Sequence, residues 1–566
     1  MKRREFVIKA ATAGAFVYSS TIFPFINTKK TLVGNALRFP QVLQTGENLT
    51  LQTSNVEVWP GTTTQVIALN NSYPNPTIKV KKGDNFSVIF DNQHSEEATI
   101  HWHGLLVPEI MDGHPKDAVL PGQSYIYTFP ITQRAGTYFY HSHAHHLTAK
   151  HVYKGFAGFF IIEDDSELSL GLPSGEFDVP LLIQDRRSVD IPQFNYQPNM
   201  MDVMNGYLGD ITLVNGTPDA YLEVQKTLYR FRIVNGSNAR VYKLAFSDNS
   251  LFWILSTDAG LKDEVIQVNN VFLAPGERLE ILYDFSNYSI GNAVNLITQS
   301  FSGGGNQGIQ MNILRFDISG NRTSDGVVPQ NLLPINYYNV EDSLRTREFT
   351  LSQSMMGTGM HRINNLTFDM ARIDEIVNKN ELEEWKFINT TNNYHPMHIH
   401  GVMFQVYSRN GNTNLPAKDK GWKDTVLVFP NESVSVLIKF VDYTGIYLLH
   451  CHNLEHETDG MMLNLRIDSS TDIQENNQPK DFILYQNYPN PFNPSTTIEF
   501  MLNESQNIEL SIYDILGNKI ETLLSGFLSS GLHKINYVNK INSSGIYFYN
   551  LKVGNKSVKK KMTLLK

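Results

Sequence analysis

The chain of 566 residues contains one cysteine, Cys451. A single thiol cannot close an internal disulfide, so the framework that staples many small exported domains is excluded. Excess positive charge is also missing: 47 Lys and Arg stand against 56 Asp and Glu, for a net charge of -9. No basic stripe offers a phosphate backbone anything to hold, which speaks against nucleic acid as a partner and for a small molecule. Beyond the N-terminal segment no apolar run is long enough to read as a membrane-spanning helix. Extended helical periodicity is scarce as well, so the 41% hydrophobic content must be buried mainly by short strands.

The strand signals are plentiful. "NFSVIFDN", "GTYFYHSH" and "SVSVLIKF" are β-branched and aromatic runs punctuated by Gly, Pro and Asn, so the fold class is all-β. Stacking the runs exposes a repeat, "LPGQSYIYTF" from Leu120, "APGERLEILYDF" from Ala274 and "FPNESVSVLIKF" from Phe429. Three copies imply three related β-sandwiches, placed at 43–168, 177–319 and 345–468. The outer two are closer kin, because "AGTYFYHSH" at 135–143 parallels "TGIYLLHCH" at 444–452, and "IHWHG" at Ile100 parallels "IHG" at Ile399. No histidine lies between His151 and His361. The middle sandwich therefore reads as a spacer or wall, and the chemistry belongs to the first and third.

Both ends of the chain differ from this pattern. "MKRREFVIKAATAGAFVYSSTIFPF" is basic and then uncharged, as an export signal is, and Arg3 and Arg4 followed by Phe6 and Lys9 resemble the twin-arginine type. Residues 1–42 are read as that signal and a disordered lead. "SSTDIQENNQPKD" at 469–481 has no periodicity and reads as a linker. From 482 to 566 about seven short strands predict a small immunoglobulin-like sandwich. With "NYPNPFNP" at 487–494 and Gly545-Ile546-Tyr547 before a basic tail, this end resembles the C-terminal sorting domain of type IX secretion cargo. That resemblance, with the signal, implies export machinery as a partner and a path through the periplasm to the outer surface or the medium. The protein is read as a monomer.

Ten of the 17 histidines fall into four groups: His101 and His103; His141 and His143; His395, His398 and His400; His450, His452 and His456. Residues two apart on a strand share a face, so each H-x-H pair is expected to present two imidazoles to one site. In "HCH" the alternation turns His450 and His452 one way and Cys451 the other. Cys451, His395 and His456, followed by Met461, make the His₂Cys set with a weak thioether that suits an electron-transfer copper. The other eight histidines offer imidazole enough for three more coppers, a cluster able to bind and reduce O₂. Structural zinc instead takes four closely grouped ligands.

These motifs resemble those of the multicopper oxidases over roughly 43–468, and the family's fold is three cupredoxin-like Greek-key sandwiches. The resemblance implies His101 and His398 on a type 2 copper, and His103, His141, His143, His400, His450 and His452 on a type 3 pair. It implies His395, Cys451, His456 and Met461 on the type 1 copper, four copper ions in all. The implied reaction is one-electron oxidation of a small reducing substrate, four times over, with O₂ reduced to water. Glu457 and Asp112 are implied as proton donors, a solvated loop carboxylate being the alternative for each, and Asp424 in "GWKDTV" reads either as a support for ligand imidazoles or as part of a structural turn. His94, His114, His145, His146, His151 and His361 lie outside the motifs and read as loop or supporting residues. The copper-efflux branch carries a methionine-rich insertion, whereas "SQSMMGTGMHRINN" has only Met355, Met356 and Met360. Thr391 and Asn393 stand where that branch has acidic and methionine residues. Both departures favour a laccase-like site for phenols or aromatic amines over a Cu(I) or Mn(II) oxidase. A pure electron carrier would not need eight extra paired histidines, and a copper-free structural relative would show gaps in the motifs.

Overall fold

The computed structural model describes residues 34–469, apart from 45, 304 and 355–358, and residues 482–564, apart from 516, 539–543 and 555. The signal-like start, Met355, Met356 and the linker residues 470–481 lie outside the described residues. The chain divides into two compact units, 1–468 and 469–566.

In the first unit, alternation drives strand formation. Along Asn85–Asn92 the side chains of Phe86, Val88 and Phe90 turn inward while Asn85, Ser87 and Ile89 face out. This strand joins Leu49–Val56, Thr64–Leu69 and Ser124–Pro130 in a four-stranded sheet. Across the core stand Ile78–Lys81, Ala157–Glu163, Gly136–Ser142 and Ile100–His103. The last two pair antiparallel with His101 opposite His141, which brings both H-x-H motifs of this sandwich to one sheet end.

A second sandwich packs a seven-stranded sheet on a six-stranded one around Phe231, Phe246, Tyr283 and Phe316. A third packs two five-stranded sheets around Phe349, Trp385, Phe404 and Leu449. In the third, His395–Ile399 runs between Thr425–Val428 and Gly445–Cys451, with Met397 opposite Cys451 and His398 opposite His450.

One expectation needs correction: residues 35–42 are not a disordered lead. Asn35–Ala36 pairs in parallel with Ala220–Gln225, and Leu37 is buried in the second core. The edge of the six-stranded sheet exposes unpaired backbone groups, and a short preceding segment satisfies them.

Three short helices matter for the site: Thr148–Tyr153, Met200–Asn205 and Leu454–Thr458. The last is capped by Asn453, whose side chain accepts from the backbone N–H groups of Glu455 and His456. Asn199 and Asp202 form a reciprocal capping box on Met200–Asn205.

The second unit contains seven described strands in sheets of three and four, from Phe482–Leu484 to Lys556–Leu564. Its own core is built on Phe482, Phe500, Leu510, Tyr549 and Met562.

Candidate metal centre

Eight buried imidazoles from the first and third sandwiches converge. Nε2 of His101 lies 3.3 Å from Nε2 of His398. His141 Nε2 is 3.4 Å from His103 Nδ1 and 3.3 Å from His452 Nε2. His450 Nε2 is 3.4 Å from His143 Nε2 and 3.1 Å from His400 Nε2. The pairs do not each stay together: His141 and His143 split between two triads, as do His450 and His452, and every triad draws on both sandwiches.

The outward-facing nitrogens show what this centre is built to hold. His101 Nδ1 donates to the Asp112 carbonyl at 2.8 Å, His398 Nδ1 to the Asp424 carbonyl at 2.9 Å, and His141 Nδ1 to the Ser142 carbonyl at 2.9 Å. His400 Nδ1 donates to Asp112 Oδ2 at 2.7 Å, His450 Nδ1 to the Cys451 carbonyl at 3.2 Å, and His103 Nε2 to Asp424 Oδ1 at 3.1 Å. With the ring proton spent outward, six inner nitrogens are bare lone pairs aimed at other imidazole nitrogens. Burial also holds His101, His103, His143, His400, His450 and His452 well below the usual imidazole range and lowers His141 to about 3. Neutral lone pairs at such distances repel unless a cation lies among them. Metal–nitrogen bonds of about 2.0–2.1 Å place tetrahedral ligand atoms about 3.3 Å apart, so the residues fit first-row metal ions.

On the opposite face of the same strand, Cys451 Sγ lies 3.5 Å from His395 Nδ1 and 3.6 Å from His456 Nδ1, and these two nitrogens are 3.3 Å apart. His395 Nε2 donates to Thr391 Oγ1 at 2.8 Å and His456 Nε2 to the Met204 carbonyl at 3.3 Å, so both rings turn Nδ1 toward the thiol. Met461 is buried in the same core as Cys451, and its carbonyl accepts from the Cys451 N–H at 3.1 Å. A soft sulfur with two imidazoles fits copper. The thiol itself is pushed up by burial, so a cation is what would stabilise its thiolate.

Family models described as multicopper oxidase match residues 50–167 and 340–471. The multicopper oxidase mco of Staphylococcus aureus is 31% identical over 446 residues, covering 76% of this chain and 92% of the relative. The chain belongs to the multicopper oxidase family. The laccase of Bacillus subtilis is likewise 31% identical, over 70% of this chain and 89% of its own length. The crystal structure of the McoA multicopper oxidase from Aquifex aeolicus shares 37% identity and a TM-score of 0.71, covering 77% of this chain and all of that one. A secretion system C-terminal sorting domain model matches residues 486–564. This multicopper oxidase is thus an oxidoreductase of a copper-binding family that uses O₂, and it carries a sorting domain for export.

Two acids flank the oxidase's imidazole cluster. Glu457 is 1% exposed, with Oε2 3.4 Å from His450 Nδ1 and Oε1 3.7 Å from His143 Nδ1. Asp112 is fully buried, and its Oδ1 lies 3.7 Å from His101 Nδ1 while Oδ2 holds His400. Neither is a solvated loop carboxylate. Burial raises both, Asp112 well above the ordinary range and Glu457 to about 8.

The middle sandwich contributes more than a wall. Arg278, on the strand Arg278–Asp284, donates to Asp424 Oδ1 at 2.7 Å, and Asp424 in turn holds His103. Burial is the largest influence on Asp424 and raises it, but the charges and hydrogen bonds of Arg278 and His103 together outweigh burial and keep the carboxyl well below its ordinary range. Gly276 takes φ +80°, and a Cβ there would stand 2.9 Å from the His452 ring and 3.0 Å from that of His103. The middle sandwich also supplies Met200–Asn205, whose Val203 and Met204 carbonyls meet His361 Nε2 at 3.1 Å and His456. His361 stacks on His456 with ring centroids 3.6 Å apart. The three methionines within "MMDVM" were the one sequence signal for that helix's place; Arg278 had none.

Proposed function

We propose that the protein is a four-copper, laccase-like oxidase of phenols or aromatic amines. The observation that carries this reading is the segment 450–452, where one thiol faces two imidazoles on one side while its neighbours enter two imidazole triads on the other. In this reading His395, Cys451, His456 and Met461 hold the type 1 copper, and His101 and His398 the type 2. His103, His141 and His452 hold one member of the type 3 pair, and His143, His400 and His450 the other. Bound copper would supply one-electron chemistry, by which four electrons taken singly from the substrate, together with four protons, would reduce O₂ to two waters. Cys451 and its peptide links to His450 and His452 provide a short covalent route between the two sides. Glu457, against His143 and His450, and Asp112, against His400 and His101, hold protons at the cluster that O₂ reduction consumes. Asp424 and Arg278 fix His103 in the tautomer that turns Nδ1 inward.

The likeness to the Bacillus subtilis laccase supports the organic substrate. A second reading, oxidation of Cu(I) or Mn(II), gains support for Cu(I) from one observation. Met200–Asn205 lies over His456, with Met200 62% and Met201 59% exposed and Met204 half-buried, and thioethers suit Cu(I). Oxygen uptake with a phenolic diamine, Cu(I) and Mn(II) at matched concentrations tests both. Faster uptake with the diamine is expected, and faster uptake with Cu(I) would replace the first reading by the second.

Within this proposal the three sandwiches are cupredoxin domains at 43–168, 177–319 and 345–468, joined through 469–481 to the sorting domain at 482–566. A monomer exported by a twin-arginine signal and then sorted through the outer membrane completes it.

A further inference from the structure

Outside the oxidase motifs, the first sandwich gathers two more histidines and a glutamate. His94 and Glu96 follow the strand Asn85–Asn92, and His151 lies on the helix Thr148–Tyr153. One donor atom of each lies within 4.8 Å of the others. Glu96 Oε2 stands between the rings, 3.2 Å from His151 Nε2 and 3.6 Å from His94 Nε2. These separations straddle the roughly 3.3 Å between ligand atoms of a tetrahedral ion.

The surroundings orient all three groups. His94 Nδ1 is 3.1 Å from Thr53 Oγ1 and His151 Nδ1 is 2.9 Å from Ser142 Oγ, so each ring is held from behind with Nε2 toward the glutamate. Lys150 Nζ binds Glu96 Oε1 at 2.5 Å and leaves Oε2 to the histidines. Both imidazoles are buried, while Glu96 is 28% exposed and opens the cluster to solvent.

We propose that His94, Glu96 and His151 form a further metal site, separate from the oxidase coppers, which takes one divalent first-row cation such as Zn²⁺ with solvent in the fourth position. Two imidazoles and one carboxylate with an open position are a donor set that Zn²⁺ accepts. The cation ties residues 94–96 to the helix Thr148–Tyr153. That helix also carries Thr148, whose hydroxyl donates to the carbonyl of Ala144, the residue after His143, at 3.1 Å, and Ser142 behind His151 sits between His141 and His143. The site therefore braces the elements that present one edge of the oxygen-reducing cluster.

The test uses copper-replete, full-length enzyme washed with EDTA and titrated with Zn²⁺ by calorimetry, with zinc-edge anomalous diffraction from the same preparation. One further equivalent of Zn²⁺ is expected, with an anomalous peak among His94, Glu96 and His151. Glu96→Gln and His94→Ala should each weaken binding at least tenfold while copper content and the blue absorption stay unchanged. The proposal is overturned if wild-type enzyme takes up no Zn²⁺, if both variants bind it undiminished, or if the peak lies elsewhere, for instance at His145 and His146. Because copper content is read independently, failure here leaves the oxidase assignment intact.

Discussion

At the scale of single residues, the centre depends on where each proton sits. Glu457 is buried beside two imidazoles, and Glu457→Gln keeps its shape while removing its proton exchange. Stopped-flow oxidation of the reduced enzyme should show O₂ reduction slowed about a hundredfold with the blue absorption unchanged; an unchanged rate would remove Glu457 from the proton route. The same variant gives a pH signature in the copper-free protein. Burial raises Glu457 to about 8 in the folded state, above about 4.3 in an unfolded chain. The folded state therefore binds more protons, and stability falls as pH rises through that window. Between pH 7 and 9, wild-type apoprotein should lose about 1 kcal/mol more than Glu457→Gln in urea unfolding. Asp424 carries a different burden, because it balances buried Arg278 and orients His103. Asp424→Asn leaves that guanidinium only Asp258, 3.9 Å away and already paired with Lys423, with an expected cost of about 3 kcal/mol, and copper content should fall as His103 loses its anchor. Denaturant unfolding with copper analysis checks both outcomes.

At the scale of elements, short helices set the ligands that strands cannot reach. Leu454–Thr458 brings His456 back toward Cys451 within five residues of chain and turns Glu457 to the other side. Its start is held by Asn453, so Asn453→Ala should cost about 1 kcal/mol and shift the blue absorption band as His456 loosens; an unaltered spectrum would assign Asn453 to stability alone. Met200–Asn205 caps the same region from the middle sandwich. Replacing Met200, Met201 and Met204 together by Leu conserves volume and removes the thioethers. If Cu(I) is a substrate, its oxidation should fall at least tenfold with phenol oxidation retained, whereas an equal fall in both would make the helix a plain wall.

On the scale of the whole molecule, the second unit has its own core around Phe500, Leu510 and Tyr549, so the oxidase should not need it to fold. Deleting 482–566 should leave the blue spectrum and specific activity unchanged and keep the enzyme inside the cell envelope. Active enzyme in the medium after that deletion would refute the sorting role.

Much of the centre is local, and for that reason it was legible in the residues alone. Strand alternation in "HWHG", "HSH" and "HCH" sets which side chains share a face, since a period of two is a property of the extended backbone itself. The lone cysteine between two histidines needed nothing further to separate two sides of one strand, and the all-β class followed from the same periodicity. Pairings across hundreds of residues had no such local cause. That His141 joins His103 and His452 while His143 joins His400 and His450, that Arg278 steadies His103 through Asp424, and that Asn35–Ala36 completes a sheet of the second sandwich depend on how the sandwiches pack. Only burial of their shared faces brings these groups within bonding distance and gives each lone pair its partner.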